Sequence, residues 1–297
     1  MLWLMATLAA AATQTARNAA QSSLTATLGV IGATQVRFLF GLPFAILFLC
    51  AVVIVTGERV PVPTLRTVGF VGIGAVAQIA ATALMLRLMA QQSFAVTTAW
   101  LKTEPVMVAL FAAVVLGDPL SLPMLGAIAV ATAGVLVITV QPGVAGQLWR
   151  AQAAAAMGIA AGGLFGAAAI GFRGGILSLP DGGFAIRAST ALVLGLGLQS
   201  LILLAYMAAF DRPAIRACLS VWRASLGTGF LGAFASQLWF VGFSLTTAAN
   251  VRTVALVEVV FAQIIARVWL GQRTTKRQIF GMAVLMAGVG LLLQTPR

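Results

Sequence analysis

Residues 104–118 read EPVMVALFAAVVLGD, and residues 258–272 read EVVFAQIIARVWLGQ. Both stretches begin with a glutamate and carry a Leu-Gly pair twelve residues later, so every match has the same offset of 154 residues. Further matches at this offset are Ser93 with Thr247 and Ala95 with Ala249. An internal repeat of this length predicts that the chain consists of two related halves.

The composition of the whole chain indicates a membrane protein. Of its 297 residues, 61% are hydrophobic and 8% are charged, and the mean hydropathy is +1.06. This composition leaves too little polar surface to cover a water-soluble domain. Apolar runs of about 20 residues, the length that a helix needs to cross a bilayer, recur along the chain. The runs are rich in Ala, Leu and Gly and do not alternate with polar residues, which favours helices over a β-barrel.

Gly, Pro and charged residues separate these runs and predict ten transmembrane helices. The predicted spans are residues 2–20, 30–56, 66–89, 93–116, 122–140, 152–172, 184–210, 222–245, 248–270 and 278–294. No basic residue precedes the first run, so we interpret it as a transmembrane helix and not as a signal peptide. Five spans in each half, residues 1–146 and 147–297, would insert the halves in opposite senses. The predicted fold class is therefore an all-α membrane protein built from two inverted five-helix repeats.

Several classes of function lack the residues that they need. The chain has no histidine, and Cys50 and Cys218 lie far apart, so we predict no metal site, no disulfide framework and no cofactor. No Walker A, HExxH or GxSxG motif occurs, which argues against an ATPase and against a membrane-embedded enzyme. Basic residues that flank membrane helices explain the net charge of +12, so no nucleic-acid partner is predicted.

The sequence resembles the drug/metabolite transporter superfamily, EamA type, at several motifs. These motifs are the short polar connections QQSFAV and TTAANV, a proline at position 105, Leu-Gly-Asp at 116–118, and a Gly-x7-Gly pattern in the fifth span. Within the superfamily the chain is most similar to the aromatic amino-acid exporters. The second half departs from the pattern, because Gln272 replaces the acid of Asp118 and Val259 replaces Pro105.

The resemblance implies a secondary transporter, and not an enzyme, that exports aromatic amino acids or similar amphiphilic metabolites across the bacterial inner membrane by alternating access. It also implies cytoplasmic termini, a small-molecule substrate, contact with the lipid bilayer, and a monomer, with a homodimer as the alternative. The Lys and Arg residues favour the opposite orientation, because the predicted loops on the side away from the termini carry more of them. The alternatives are a sugar-phosphate, nucleotide-sugar or drug exporter of the same superfamily and, from another class, a channel.

Glu104 and Glu258 fall well inside predicted spans and are equivalent in the repeat. A charge at the centre of a membrane helix costs roughly 2.5–3.5 kcal/mol, so both acids are candidates for function. They either bind a substrate ammonium group or a coupled proton, or they form ion pairs; facilitated export without proton coupling is the alternative to antiport. Lys102 lies about 200° around a helix from Glu104, whereas Arg252 and Arg267 are candidate partners of Glu258.

Polar and aromatic residues on the same faces are candidate substrate contacts. They are Thr97, Trp100 and Glu104 on one stripe of the fourth span, Gln78 and Thr82 on the third, Ser236, Trp239 and Phe243 on the eighth, and Asn250 at the start of the ninth. Aromatic rings offer a wall for an aromatic substrate, and amides and hydroxyls bind a zwitterion. The alternatives are hydrogen bonds between helices for the polar residues and an N-cap role for Asn250.

The sixth span carries a ladder of small residues, Gly158, Gly162 and Gly166. Such ladders allow two helix backbones to approach closely, so we predict tight helix packing here. A sliding helix during alternating access is the alternative. The fifth span keeps only the outer positions of the same spacing, Gly126 and Gly134.

Overall fold

A computed structural model describes residues 1–91, 100–139, 152–269 and 275–295. Within these ranges all regular structure is helical, as the apolar runs predicted. The α-helices are α1 (Leu2–Leu39), α2 (Leu42–Thr56), α3 (Leu65–Gln91), α4 (Glu104–Phe111), α5 (Leu122–Thr139), α6 (Gln152–Leu177), α7 (Phe184–Phe210), α8 (Arg212–Ser220), α9 (Trp222–Leu245), α10 (Ala248–Val254), α11 (Glu258–Trp269) and α12 (Lys276–Gln294). A π-helical turn, Ala112–Leu116, extends α4, and a 3₁₀ turn, Ala255–Val257, joins α10 to α11.

Seven helical stretches of the described residues are long and apolar enough to cross a membrane. They are Thr27–Thr56, Leu65–Leu88, Leu122–Thr139, Ala153–Leu177, Phe184–Phe210, Trp222–Leu245 and Lys276–Gln294, and a shorter apolar helix covers Glu104–Leu116. The structure thus confirms a helical chain, and its apolar helices point to a multi-pass membrane protein. The count of ten spans and the inverted repeat stay predictions.

Two boundaries near the N-terminus differ from the predicted spans. The first helix continues through residues 21–29, where we expected a connection, and Gly29 interrupts it with a φ of 68° that suits a residue without a Cβ. The predicted span 30–56 is itself interrupted at residues 40–41. Pro43 in the first turn of α2 explains why a helix restarts there, because its missing N–H costs no hydrogen bond at a helix start.

The short helix α8 was not predicted, because the sequence DRPAIR was interpreted as a connection between membrane spans. Asp211 caps this helix by accepting a hydrogen bond from Ala214 N, and Pro213 lies in its first turn. An aspartate followed by a proline two positions later is an ordinary N-terminal helix signal, and it would have predicted α8.

The chain divides into two compact units, and each takes segments from both halves of the sequence. Unit 1 contains Met1–Ile79 and Ala168–Thr246, and unit 2 contains Ala80–Ala167 and Thr247–Arg297. The predicted boundary at residues 146 and 147 lies outside the described residues. The division into repeats 1–146 and 147–297 describes the duplication and stays a prediction.

In unit 1, α1 packs along α9, and α7 packs against α2 and α9. The second half of α6 approaches α3 closely at a pair of glycines: a Cβ atom at Gly171 would lie 2.6 Å from the backbone nitrogen of Gly74. At the end of α6, Arg173 Nε donates a hydrogen bond to the carbonyl of Thr246 at 3.0 Å. Glycine contacts and a charged side chain on a backbone carbonyl therefore hold these helices together.

In unit 2, α5 and α12 pack along each other. A Cβ atom at Gly134 would lie 2.3 Å from the nitrogen of Leu285, and one at Gly288 would lie 2.3 Å from the nitrogen of Ala131. At the other predicted ladder position, Gly126, a Cβ atom would have no described atom within 4 Å beyond its own helix backbone and chain neighbours. Of the two predicted positions on α5, Gly134 packs in this interface and Gly126 makes no such contact with the described residues.

Large apolar side chains face outward in both units. Ile54 is 81% exposed in unit 1 and Val114 is 85% exposed in unit 2. Exposed apolar side chains on this scale suit a protein whose surroundings are hydrocarbon chains and not water.

Candidate functional site: a charge cluster at two interrupted helices

The fourth predicted span is interrupted at residues 102–103, immediately before Glu104. Pro105 is the sequence feature behind this turn, because it has no N–H to donate to a carbonyl of the preceding turn. The Trp100 carbonyl accepts hydrogen bonds from Thr103 N at 3.3 Å and from Thr103 Oγ1 at 2.8 Å. The chain therefore tightens here, and a new helix starts at the glutamate.

The second half has a matching interruption in the ninth predicted span. The 3₁₀ turn Ala255–Val257 precedes Glu258, where α11 begins. The repeat offset relates both the turns and the glutamates, although no proline stands in the second turn. Each glutamate lies in the first turn of a helix, where the helix dipole favours a negative charge.

Four charged residues at these interruptions form two ion pairs that cross between the halves of the sequence. Lys102 Nζ pairs with Glu258 Oε1, and Arg252 Nε lies 2.8 Å from Glu104 Oε1. All four residues belong to unit 2. We call these four residues the charge cluster. The side chains are mostly buried, yet Glu104 and Glu258 keep 19% and 20% of their surface exposed.

The pairing agrees with one expectation and changes another. Lys102 pairs with Glu258 and not with Glu104, which agrees with its position about 200° around a helix from Glu104. Arg252, which we considered as a partner of Glu258, forms its ion pair with Glu104. The side chain of Arg267, the other candidate, lies outside the described residues.

The charge cluster carries no net charge when all four groups are ionised. Burying an ion pair is costly, and removing one partner of a fully buried pair costs about 3–5 kcal/mol because the other charge is left uncompensated. The partial exposure of both glutamates lowers that cost here. A ligand that brings one positive and one negative group can exchange with these pairs without leaving a charge alone.

The predicted stripe of Thr97, Trp100 and Glu104 assumed one continuous helix. This assumption is wrong, because the turn at residues 102–103 separates Trp100 from Glu104. Thr97 lies outside the described residues. Trp100 still lies next to the charge cluster in sequence, and among the described residues its buried Nε1 has no hydrogen-bond acceptor.

The glycine ladder of α6 packs directly on this interrupted span within unit 2. A Cβ atom at Gly158 would lie 2.3 Å from Trp100 Cβ, and one at Gly162 would lie 2.9 Å from Thr103 Oγ1. Gly166 follows in ordinary contact with the side chain of Val108, at 3.4 Å. The predicted close packing is confirmed at these positions, and it supports the backbone turn before Glu104.

Two of the remaining predicted contacts are hydrogen-bonded inside unit 1. Gln199 Nε2 donates to Gln78 Oε1 at 2.7 Å, and Trp239 Nε1 donates to Gln14 Oε1 at 3.0 Å. These bonds agree with the alternative that the polar residues connect helices. Sequence reasoning missed Gln14 and Gln199 as partners, although a glutamine inside an apolar span must find one.

The other predicted contacts are divided between the two units. Ser236 and Phe243 are buried in unit 1, at 7% and 2% exposure, and Thr82 is fully buried in unit 2. Asn250 does not cap α10: Thr247 is the N-cap, and its Oγ1 accepts a hydrogen bond from Asn250 N at 3.3 Å. The capping alternative for Asn250 is therefore wrong.

Among the described residues, no group of three or more His, Cys, Asp or Glu residues could hold a metal ion. The candidate site consists of the charge cluster and Trp100, with Gly158 and Gly162 packed against the turn.

Comparisons with known proteins bear on the fold and the family of the chain. Twenty-five chains of known structure match this one, and no protein of curated function does. One matching structure, described only as a crystal structure of a protein, is 13% identical over 98% of this chain and 94% of its own, with a TM-score of 0.70, which shows a shared fold. Residues 152–294 match the EamA-like transporter family, whose members are generally not enzymes. The second half of the chain thus contains an EamA-like domain, which indicates a multi-pass membrane transporter of the drug/metabolite transporter superfamily.

Proposed function

We propose that the protein is a secondary transporter that exports aromatic amino acids or similar amphiphilic metabolites across the bacterial inner membrane by alternating access. The family match supports a transporter of this superfamily. The export direction and the amino-acid class come from the resemblance of the sequence to the aromatic amino-acid exporters.

The charge cluster is the observation that carries the proposal. A zwitterionic amino acid has a carboxylate for Arg252 or Lys102 and an ammonium group for Glu104 or Glu258. Its two charges replace those lost when an ion pair opens, so the exchange leaves no charge uncompensated. A phosphate dianion lacks the positive group, so the cluster does not favour the sugar-phosphate alternative.

Trp100 supports an aromatic side chain on the substrate. Its indole lies two residues before Lys102, and its Nε1 has no acceptor among the described residues. An aromatic ring stacked on an indole gains about 0.5–1.5 kcal/mol beyond the burial of its surface. Threonine, which has no ring, would lose that gain.

Glu104 and Glu258 are also the proposed proton carriers, because the chain has no histidine. A proton on either carboxylate would release its cation partner, and a substrate carboxylate could then bind that cation. Facilitated export without protons remains the alternative within the same proposal.

The test is counterflow in proteoliposomes that hold the purified full-length protein. Phenylalanine, tryptophan, threonine and a sugar phosphate are compared side by side. We expect exchange of phenylalanine and tryptophan, and weaker exchange of threonine. Transport of the sugar phosphate alone would overturn the proposal.

Glu104→Gln tests the role of the charge cluster. A hydrogen bond to a charged group contributes about 1.5–3 kcal/mol, so we expect a roughly 10–100-fold weaker apparent affinity for phenylalanine. Glu58→Gln is the matched control, because the Glu58 carboxylate accepts a hydrogen bond from Gly183 N at 2.8 Å in unit 1, away from the cluster residues in sequence. If phenylalanine flux and its pH dependence are unchanged in Glu104→Gln, Glu104 has a structural role only.

A further inference from the structure

The helix α8 presents a basic face at the connection between α7 and α9. Arg212 and Arg216 lie one turn apart on this face, and both are exposed. Leu219, at the next position on the same face, is 55% exposed. Asp211, at the N-cap, is the only acid between residues 200 and 250.

The opposite face of α8 is anchored in unit 1. Cys218 is 1% exposed and contacts a buried cluster that includes Leu24, Leu28 and Met207. Its Sγ donates a weak hydrogen bond to the carbonyl of Gly32 at 3.6 Å. The basic face therefore cannot rotate inward without breaking this packing.

Exposed aromatic residues flank α8 on both sides in the chain. Tyr206 and Phe210 at the end of α7 pair at 5.2 Å between ring centroids, and Phe210 is 78% exposed. Trp222 at the start of α9 is 49% exposed, and the guanidinium of Arg223 lies 5.4 Å from its ring. Aromatic residues beside basic ones are typical of the interface between lipid hydrocarbon and water.

We propose that Arg212, Arg216 and Arg223 bind the headgroups of anionic phospholipids in the membrane leaflet at this end of α7. Among the described residues, no carboxylate forms an ion pair with any of the three. Guanidinium groups bind phosphate oxygens in a bidentate manner. Each basic residue near an anionic leaflet contributes about a fivefold gain in binding. This site does not depend on which substrate the protein transports.

The opposite end of α7 offers a matched control. Arg59 and Arg66 are also exposed, and their connection contacts the start of α7, because Gly183 N donates to Glu58 Oε2 at 2.8 Å. The 27 residues of α7 separate the two ends by about 40 Å. Changes at Arg59 and Arg66 therefore alter the same charge without touching α8.

The experiment is hydrogen exchange of the full-length protein in nanodiscs of phosphatidylglycerol or of phosphatidylcholine. We expect amide exchange in residues 211–223 to be at least about fivefold slower in phosphatidylglycerol. Arg212→Gln with Arg216→Gln should reduce that difference by at least about twofold, with Arg223 left to hold the remainder, whereas Arg59→Gln with Arg66→Gln should leave it intact. Equal exchange of the unmodified protein in the two lipids, or an unchanged difference in the α8 variant, would overturn the proposal.

Two further arms use the unmodified protein, in case the α8 variant does not fold. Sodium chloride at 1 M should abolish the difference, because the screening length falls from about 10 Å at 0.1 M to about 3 Å. A difference that persists at 1 M counts against headgroup binding. Inorganic phosphate added to phosphatidylcholine nanodiscs should not slow exchange; slowing there would indicate a site for free phosphate and would overturn the lipid proposal.

Discussion

Gly158→Ala tests the packing of α6 on the interrupted span that carries the charge cluster. The new Cβ would lie 2.3 Å from Trp100 Cβ and 3.3 Å from Leu88 Cδ2. Two carbon atoms are at their optimal separation at about 3.5–4.0 Å, so the shortfall at Trp100 is more than about 1 Å. Trp100 Cβ moves only with its own backbone, so no side-chain rotation relieves the contact.

We expect Gly158→Ala to lower the free energy of unfolding by about 1–3 kcal/mol through overpacking. The better helix propensity of alanine offsets at most about 1 kcal/mol of this loss. The assay is equilibrium unfolding of the purified protein in mixed micelles with an increasing fraction of dodecyl sulfate. Phenylalanine counterflow should also fall, because the displaced backbone leads into Glu104.

Gly163→Ala is the matched control, since it makes the same change in the same helix at a position where a Cβ would meet no described atom within 4 Å beyond its own helix backbone and chain neighbours. It should be neutral, or stabilising by up to about 1 kcal/mol. If the two variants unfold at the same dodecyl sulfate fraction, the proposed contact between α6 and Trp100 is absent and the reasoning fails.

Three other predictions follow from the same structure. Gly134→Ala should destabilise the α5–α12 pair by about 1–3 kcal/mol, whereas Gly126→Ala should not. Thermal unfolding of both variants measures the difference, and equal losses of stability would contradict the Gly134–Leu285 contact. In a Cys50→Ser background, the thiol of Cys218 should resist maleimide at pH 7 until the protein is unfolded. Burial raises the pKa of this thiol, the negative charge of Asp211 raises it further, and little reactive thiolate is left. Rapid labelling of the folded protein would refute this prediction. The resemblance implies cytoplasmic termini, so a C-terminal reporter that is active only in the periplasm should give no signal. A signal would favour the opposite orientation, which the distribution of Lys and Arg predicts.

The sequence predicted helix boundaries best where Gly, Pro or charge ends an apolar run. The helices Phe184–Phe210 and Trp222–Leu245 match their predicted spans. The motif Leu-Gly-Asp also has a local explanation: Gly117 ends the π-helical turn with a φ of 67°, and Asp118 N donates to the Ala112 carbonyl. Signals of this kind act within a few residues, so they can be recognised without knowledge of the packing.

The interruptions and the pairing of charges were harder to predict. Pro105 is a local signal for the interruption of the fourth span, but Ala255–Val257 contains nothing that marks a 3₁₀ turn. Whether Arg252 would reach Glu104 or Glu258 depends on the register between α4 and α10. Tertiary packing sets that register, and one sequence carries no local signal for it.

The crossed ion pairs also have a consequence for the order in which the chain is made. Lys102 and Glu258 are 156 residues apart in sequence. At about 5–20 residues per second, the ribosome needs roughly 8–30 s after Lys102 to complete its partner. During that interval the nascent first half holds Lys102 and Glu104 before either partner has been synthesised. Biogenesis therefore depends on the late arrival of the second half, and a message truncated before residue 252 should yield a product that quality-control proteases remove.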